Sequence, residues 1–129
     1  MSRWVIRAQA SFDAHHALTS YRGERESSHR HPWKVEVQIG VAGLNEEGYA
    51  LDFHQVKDLL AREVAPLDRS DLNDHPKIGV PSPTAERVAE VLSQKLAPGY
   101  AKIGGLLLVV SVWEGPDNRV DLILDSEDF

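Results

Sequence analysis

Two runs of alternating residues constrain this chain more tightly than anything else in it. In the first, Trp4, Ile6, Ala8, Ala10, Phe12 and Ala14 occupy the even positions of residues 3–14. In the second, Trp33, Val35, Val37, Ile39 and Val41 alternate with Lys34, Glu36, Gln38 and Gly40. Period two puts each apolar set on one face of a β-strand, so each strand needs a cover on that face alone. The polar segment between them, residues 17–30 with Gly23, reads as a loop.

Two helices can supply the cover. Asp52 is a candidate N-cap with Gln55 three residues on, and Val56, Leu59, Leu60 and Val64 form one helical face that Pro66 ends. A second helix is predicted from Ser82 or Thr84, with Val88, Val91, Leu92 and Leu96 as its buried stripe and Pro98-Gly99 as its stop. Residues 67–83 between the helices are polar, and connections of that length are often functional. Strands over residues 103–114 and 119–125 finish the chain, joined by a hairpin loop at Gly115–Asn118. The apolar run 106–110 predicts a strand covered on both faces. The expectation is an α+β fold in ββααββ order: a four-stranded, mainly antiparallel sheet with two helices on one face, as one domain over residues 1–129. Such a sheet leaves two open edges, which symmetric oligomerisation can pair.

Composition narrows the function. There is no cysteine, which excludes thiolate metal sites, disulfides and thiol nucleophiles. A net charge of −6 argues against a nucleic-acid partner, which would need a basic stripe. No apolar run approaches the roughly 20 residues of a membrane helix, and no secretory signal is read at the N-terminus, so no membrane partner and a cytoplasmic location are expected.

The chemistry concentrates in histidine. His29 and His31 are two apart on the parity of Trp33 and Val35, so both rings lean to the apolar side. His16 continues the even face of the first strand, whereas His15 faces the other way. If the two strands form a hairpin, three imidazoles meet, and three imidazoles with an open fourth position make a catalytic-type zinc site. His54 and His75 stand apart and read as solvated. Arg22, Arg25 and Arg30 surround the pair; they are either a solvated loop or groups for a phosphate or carboxylate.

The order of motifs resembles the family of 6-pyruvoyl-tetrahydropterin and 6-carboxy-tetrahydropterin synthases. Phe12-Asp-Ala-His-His16 is similar to its F-x-A-x-H, and Glu26-Ser-Ser-His29-Arg-His31 before Lys34-Val-Glu-Val37 to its H-G-H and following strand. Leu51-Asp52-Phe53, Leu67-Asp68 with Leu72-Asn73, Pro83-Thr84-Ala85-Glu86 and Val112-Trp113-Glu114 follow in the family's order. The resemblance implies the tunnelling fold, in which subunits join edge to edge into oligomeric barrels, usually homohexamers. It implies zinc on His16, His29 and His31, and Glu114 as the anchor of a pterin.

The chain departs from that pattern at the reacting groups. The family's cysteine base is missing, its aspartate–histidine pair is Asp68-Arg69, and the middle glycine of H-G-H is Arg30. Glu26, three residues before His29, resembles a variant branch in which glutamate does the cysteine's work in cleaving dihydroneopterin side chains. A carboxylate can serve as base where its surroundings suit it. The expected function is a zinc-dependent lyase acting on the side chain of a dihydroneopterin-type pterin. Glu26 and Asp68 would be its catalytic residues, and Glu114, Arg30, Arg69 and Thr84 its substrate contacts. The alternatives are a different reaction on a pterin- or purine-like substrate, or a zinc- and pterin-binding oligomer without turnover.

Overall fold

The computed structural model describes residues 3–124. Strand β1 (Trp4–His16) and strand β2 (His29–Val41) form a long hairpin. Helix α1 (Phe53–Val64) follows, then a two-residue strand β3 (Ser70–Asp71) between two short 3-10 turns. Helix α2 (Ala85–Lys102) leads to strands β4 (Leu106–Glu114) and β5 (Asn118–Ile123). Asp125, placed in the last strand by sequence, lies outside the described residues.

The sheet has five strands in the order β3-β1-β2-β4-β5, not four. β1, β2, β4 and β5 are antiparallel neighbours, while β3 adds to β1 in parallel at Ala14 and His15. A two-residue strand carries no period-two signal, so alternation could not disclose it. The apolar run of β4 is not covered on both faces. β4 lies between β2 and β5, one strand from the edge; Leu106 is exposed, and Leu108 and Val109 are half-buried.

Both helices lie on the face shared by the even residues of β1 and the odd residues of β2. Val35, Val37, Ile39, Val110 and Val112 from the sheet meet Val56 and Leu60 of α1 and Val88, Leu92 and Leu96 of α2, all buried. Asp52 caps α1 by accepting the His54 N–H at 2.8 Å. Thr84, not Ser82, caps α2, accepting the Arg87 N–H at 3.1 Å. Pro98 does not stop α2, which runs on to Lys102. The lost helical bond costs about 3 kcal/mol. Beyond it, fully buried Tyr100 donates its hydroxyl to Val56 O at 3.1 Å. Burying that ring and making that bond return about as much.

His75 is not solvated. Its half-buried ring sits in a turn where Nδ1 accepts two backbone N–H groups, from Lys77 at 3.1 Å and Ile78 at 3.0 Å. Burial, with Lys95 and Lys77 adding to it, lowers its pKa. A lowered folded value means that the unfolded chain takes the proton first. The contribution of His75 is therefore present above the ordinary histidine value of about 6.5 and is lost as pH falls through the folded pKa. His75→Asn keeps an acceptor for such a turn but does not titrate. The melting-temperature advantage of wild type over that variant should shrink between about pH 7.5 and about pH 5. An advantage independent of pH would contradict this account.

Candidate metal centre

The β1–β2 register pairs His16 directly with His29 and sets His31 opposite Ala14, one pair further along the same face. Period two thus does what the sequence implied, and the three rings converge. Ring centroids are 4.5 Å apart for His16 and His29, 5.3 Å for His16 and His31, and 4.3 Å for His29 and His31. Trp33, next on the same face of β2, packs edge-on against His16 at 4.9 Å and donates its indole N–H to Ala14 O at 3.3 Å.

A fourth donor completes the group. In the β2–β4 register Glu114 pairs with Trp33, so the last residue of β4 comes out beside the histidines. Its Oε1 lies 2.6 Å from His16 Nε2, 3.1 Å from His31 Nε2 and 3.7 Å from His29 Nε2. One ligand atom from each of His16, His29, His31 and Glu114 falls within 4.8 Å of every other. The sequence pointed to Glu114 as a pterin anchor; the structure sets its carboxylate among the imidazoles.

The donors are also held in the form a metal needs. His16 is almost fully buried, and its Nδ1 is 2.8 Å from Pro83 O. His29 Nδ1 is 3.0 Å from Ser27 O. A carbonyl can only accept, so in each neutral ring Nδ1 carries the hydrogen and Nε2 presents its lone pair, the arrangement usual for a metal-bound histidine. The Nε2 atoms of His16 and His31 are buried without a hydrogen-bond partner, and a lone pair there finds in the nearby Glu114 oxygen only a second acceptor. Buried nitrogen lone pairs without a partner are rare, and a cation between them would satisfy both. The residues present therefore fit a divalent metal.

Electrostatics tie the four together. Burial opposes charge on His16, but the Glu114 carboxylate and the Pro83 carbonyl outweigh it and raise the pKa. The His16 contact holds the Glu114 carboxyl below the usual carboxylate range. At His31, burial and the two neighbouring imidazoles prevail over Glu114 and lower the value.

The other expected site residues divide. Glu26 comes beside the group, on the Nδ1 side of His29: its Oε1 is 3.6 Å from His29 Nδ1 and accepts the Leu18 N–H at 3.3 Å. Arg30 does not, since the alternation that joins His29 to His31 sends the residue between them to the other face. There it pairs with Asp13 at 3.2 Å. Asp68 also lies away from the imidazoles, with Oδ1 accepting the Asp13 N–H at 3.0 Å. Arg69 follows in the left-handed region (φ 61°), exposed, with its N–H donating to Asp13 O at 2.7 Å. The Thr84 hydroxyl is engaged as the α2 cap. Arg22 and Arg25 are exposed. A cavity of about 500 Å³ opens on the far face, lined by Asp13, Lys34, Asp68 and Trp113, and none of the three histidines borders it. Sequence reading missed Pro83, whose contribution is a backbone carbonyl. The motif around Thr84 was the only signal at that position.

Known proteins resemble this chain in sequence and in fold. The family described as 6-pyruvoyl tetrahydropterin synthase matches residues 5–123. The chain is 36% identical over 117 residues to a dihydroneopterin monophosphate aldolase of Pyrococcus furiosus, covering 88% of this chain and 92% of that protein. It is 33% identical over 98 residues to a 6-carboxy-5,6,7,8-tetrahydropterin synthase of Synechocystis, covering 72% and 74%. Among solved structures, the Caenorhabditis elegans 6-pyruvoyl tetrahydropterin synthase superposes with a TM-score of 0.81 at 19% identity, over 97% of this chain and 98% of that one. The family match spans both strands that carry the histidines and the strand that carries the glutamate, and the chain belongs to the 6-pyruvoyl tetrahydropterin synthase family.

Proposed function

We propose that this protein is a zinc-dependent lyase that cleaves the polyhydroxylated side chain of a dihydroneopterin-type pterin by a retro-aldol reaction. The observation that carries the proposal is the meeting of three Nε2 donors with the Glu114 carboxylate at one end of the β1–β2 hairpin, with the Glu26 carboxylate beside His29. The 36% likeness to an aldolase of dihydroneopterin monophosphate supports this reaction over a synthase.

His16, His29 and His31 would hold zinc, which would supply a Lewis acid for a side-chain oxygen. Glu26 takes the proton from the hydroxyl on the second side-chain carbon. The bond between the first and second carbons breaks, an aldehyde leaves, and the electron pair passes into the ring C=N. Protonation of the carbon that stays on the ring completes a hydroxymethyl pterin, and Glu26 is the group that can return the proton. Glu114 accepts two N–H bonds from the 2-amino-pyrimidinone edge, a charge-assisted pair. Arg22 and Arg25 are the exposed cations on the loop before the histidines and suit a phosphate on the departing fragment.

We also assign the working form to a cytoplasmic homo-oligomer, with a hexamer as the expected size. Two edges support assembly: β3 covers only the end of β1, and β5 has no outer neighbour among the described residues. Trp4, Val5 and Ile123 near those edges are exposed. Pairing them would remove strand edges that otherwise invite aggregation.

The test is turnover. Zinc-loaded protein incubated with dihydroneopterin and with its mono- and triphosphates should release an aldehyde and a hydroxymethyl pterin from at least one of them. Glu114→Gln should keep its zinc but bind the pterin about 10–100-fold more weakly, through the loss of a charged double acceptor. Loss of zinc from that variant would make Glu114 a ligand and overturn its role as anchor. No turnover of any of the three by the wild type would remove the enzyme reading and leave pterin binding alone.

A further inference from the structure

Residues 72–84 run as a strap past the end of β1, and their hydrogen bonds fall on His16, Ala17 and Thr19. Asn73 clasps Ala17 at two points: Oδ1 accepts the Ala17 N–H at 2.8 Å and Nδ2 donates to Ala17 O at 2.8 Å. Thr19 donates its hydroxyl to Pro81 O at 2.9 Å and its N–H to Ser82 Oγ at 3.1 Å. The last stitch is the His16 Nδ1 bond to Pro83 O. From α2, Arg87 Nε donates to Lys77 O at 2.8 Å and to Val80 O at 3.1 Å. The strap is folded tightly on itself, for a Cβ at Gly79 would stand against the carbonyls of Asn73 and His75.

We propose that Asn73 and Arg87 are positioning residues for His16. Together they hold the strap so that the Pro83 carbonyl receives the Nδ1–H and Nε2 is left facing the other donors. This rests on the metal-centre reading above and deepens it. A free neutral imidazole exchanges between two tautomers, and only the one protonated at Nδ1 can offer Nε2 to a cation. A carbonyl at fixed distance selects that tautomer and fixes the ring, and such outer contacts typically govern metal affinity by about 10–100-fold. Neither residue touches the imidazole. Asn73 sets the backbone next to it, and Arg87 sets the strap that delivers the carbonyl.

Two variants separate positioning from folding. Asn73→Asp keeps the acceptor for the Ala17 N–H but turns a carboxylate oxygen toward the Ala17 carbonyl. Arg87→Gln removes the guanidinium that spans Lys77 and Val80 while leaving the Thr84 cap intact. The measurements are the His16 tautomer, read by long-range nitrogen–proton correlation in the metal-stripped full chain at alkaline pH, and zinc affinity by chelator competition. Wild type should show the Nδ1–H tautomer alone. Each variant should show both tautomers at His16 but not at His29, with zinc bound about 10–100-fold more weakly. An unchanged His16 tautomer in Arg87→Gln overturns the proposal, even if Asn73→Asp fails to fold. Should wild type bind no zinc, the metal reading fails, while the tautomer comparison still decides what the strap does.

Discussion

His31→Ala is expected to weaken zinc binding by about two to three decades while the chain stays folded. Zinc at a four-ligand protein site contributes about 10–16 kcal/mol, so one ligand carries about 2.5–4 kcal/mol. At about 1.4 kcal/mol per decade that gives the stated loss. His31 is the cleanest of the three to remove. Its ring is about 31% exposed and its Nε2 has no hydrogen-bond partner, so alanine strands no protein group. His16→Ala would orphan the Pro83 carbonyl and open a hole beside Trp33, mixing metal loss with unfolding. Chelator competition reads the affinity, and circular dichroism verifies the fold. Affinity within threefold of wild type would exclude His31 from the centre and leave too few imidazoles for the chemistry proposed.

How much of this was legible in the sequence depends on distance along the chain. Alternation alone chose His16 over His15 and grouped His29 with His31, and the hairpin register then set His16 opposite His29. The same rule, carried one residue further, removes Arg30 from the site: a residue between two inward histidines must point outward. Glu114 among the donors was beyond local pattern, because the pairing of Trp33 with Glu114 depends on how β4 registers against β2, some 80 residues on. The strap was illegible for another reason. Its fasteners are backbone carbonyls, one amide and one guanidinium, and none of these has a period. Pro98 and His75 were misread because each was judged alone. Tyr100 keeps the helix going past the first, and two backbone N–H groups occupy the second.

Glu26→Gln should retain zinc within about threefold and lose turnover by about 10²–10⁴-fold, the usual contribution of a positioned general base. Glutamine keeps the size of the side chain and can still accept the Leu18 N–H, so the loop should hold its shape. What it lacks is the ability to take a proton. The competing base is Asp68, which in this chain is committed to the Asp13 N–H and lies away from the imidazoles. Only a neighbouring subunit could bring such a carboxylate to the centre, across one of the open edges of the sheet. Asp68→Asn therefore belongs in the same assay. If Glu26→Gln turns over normally and Asp68→Asn does not, the proton is moved between subunits and the single-chain mechanism is wrong. If Glu26→Gln alone is inactive, the carboxylate three residues before His29 does the work that the absent cysteine does elsewhere in the family.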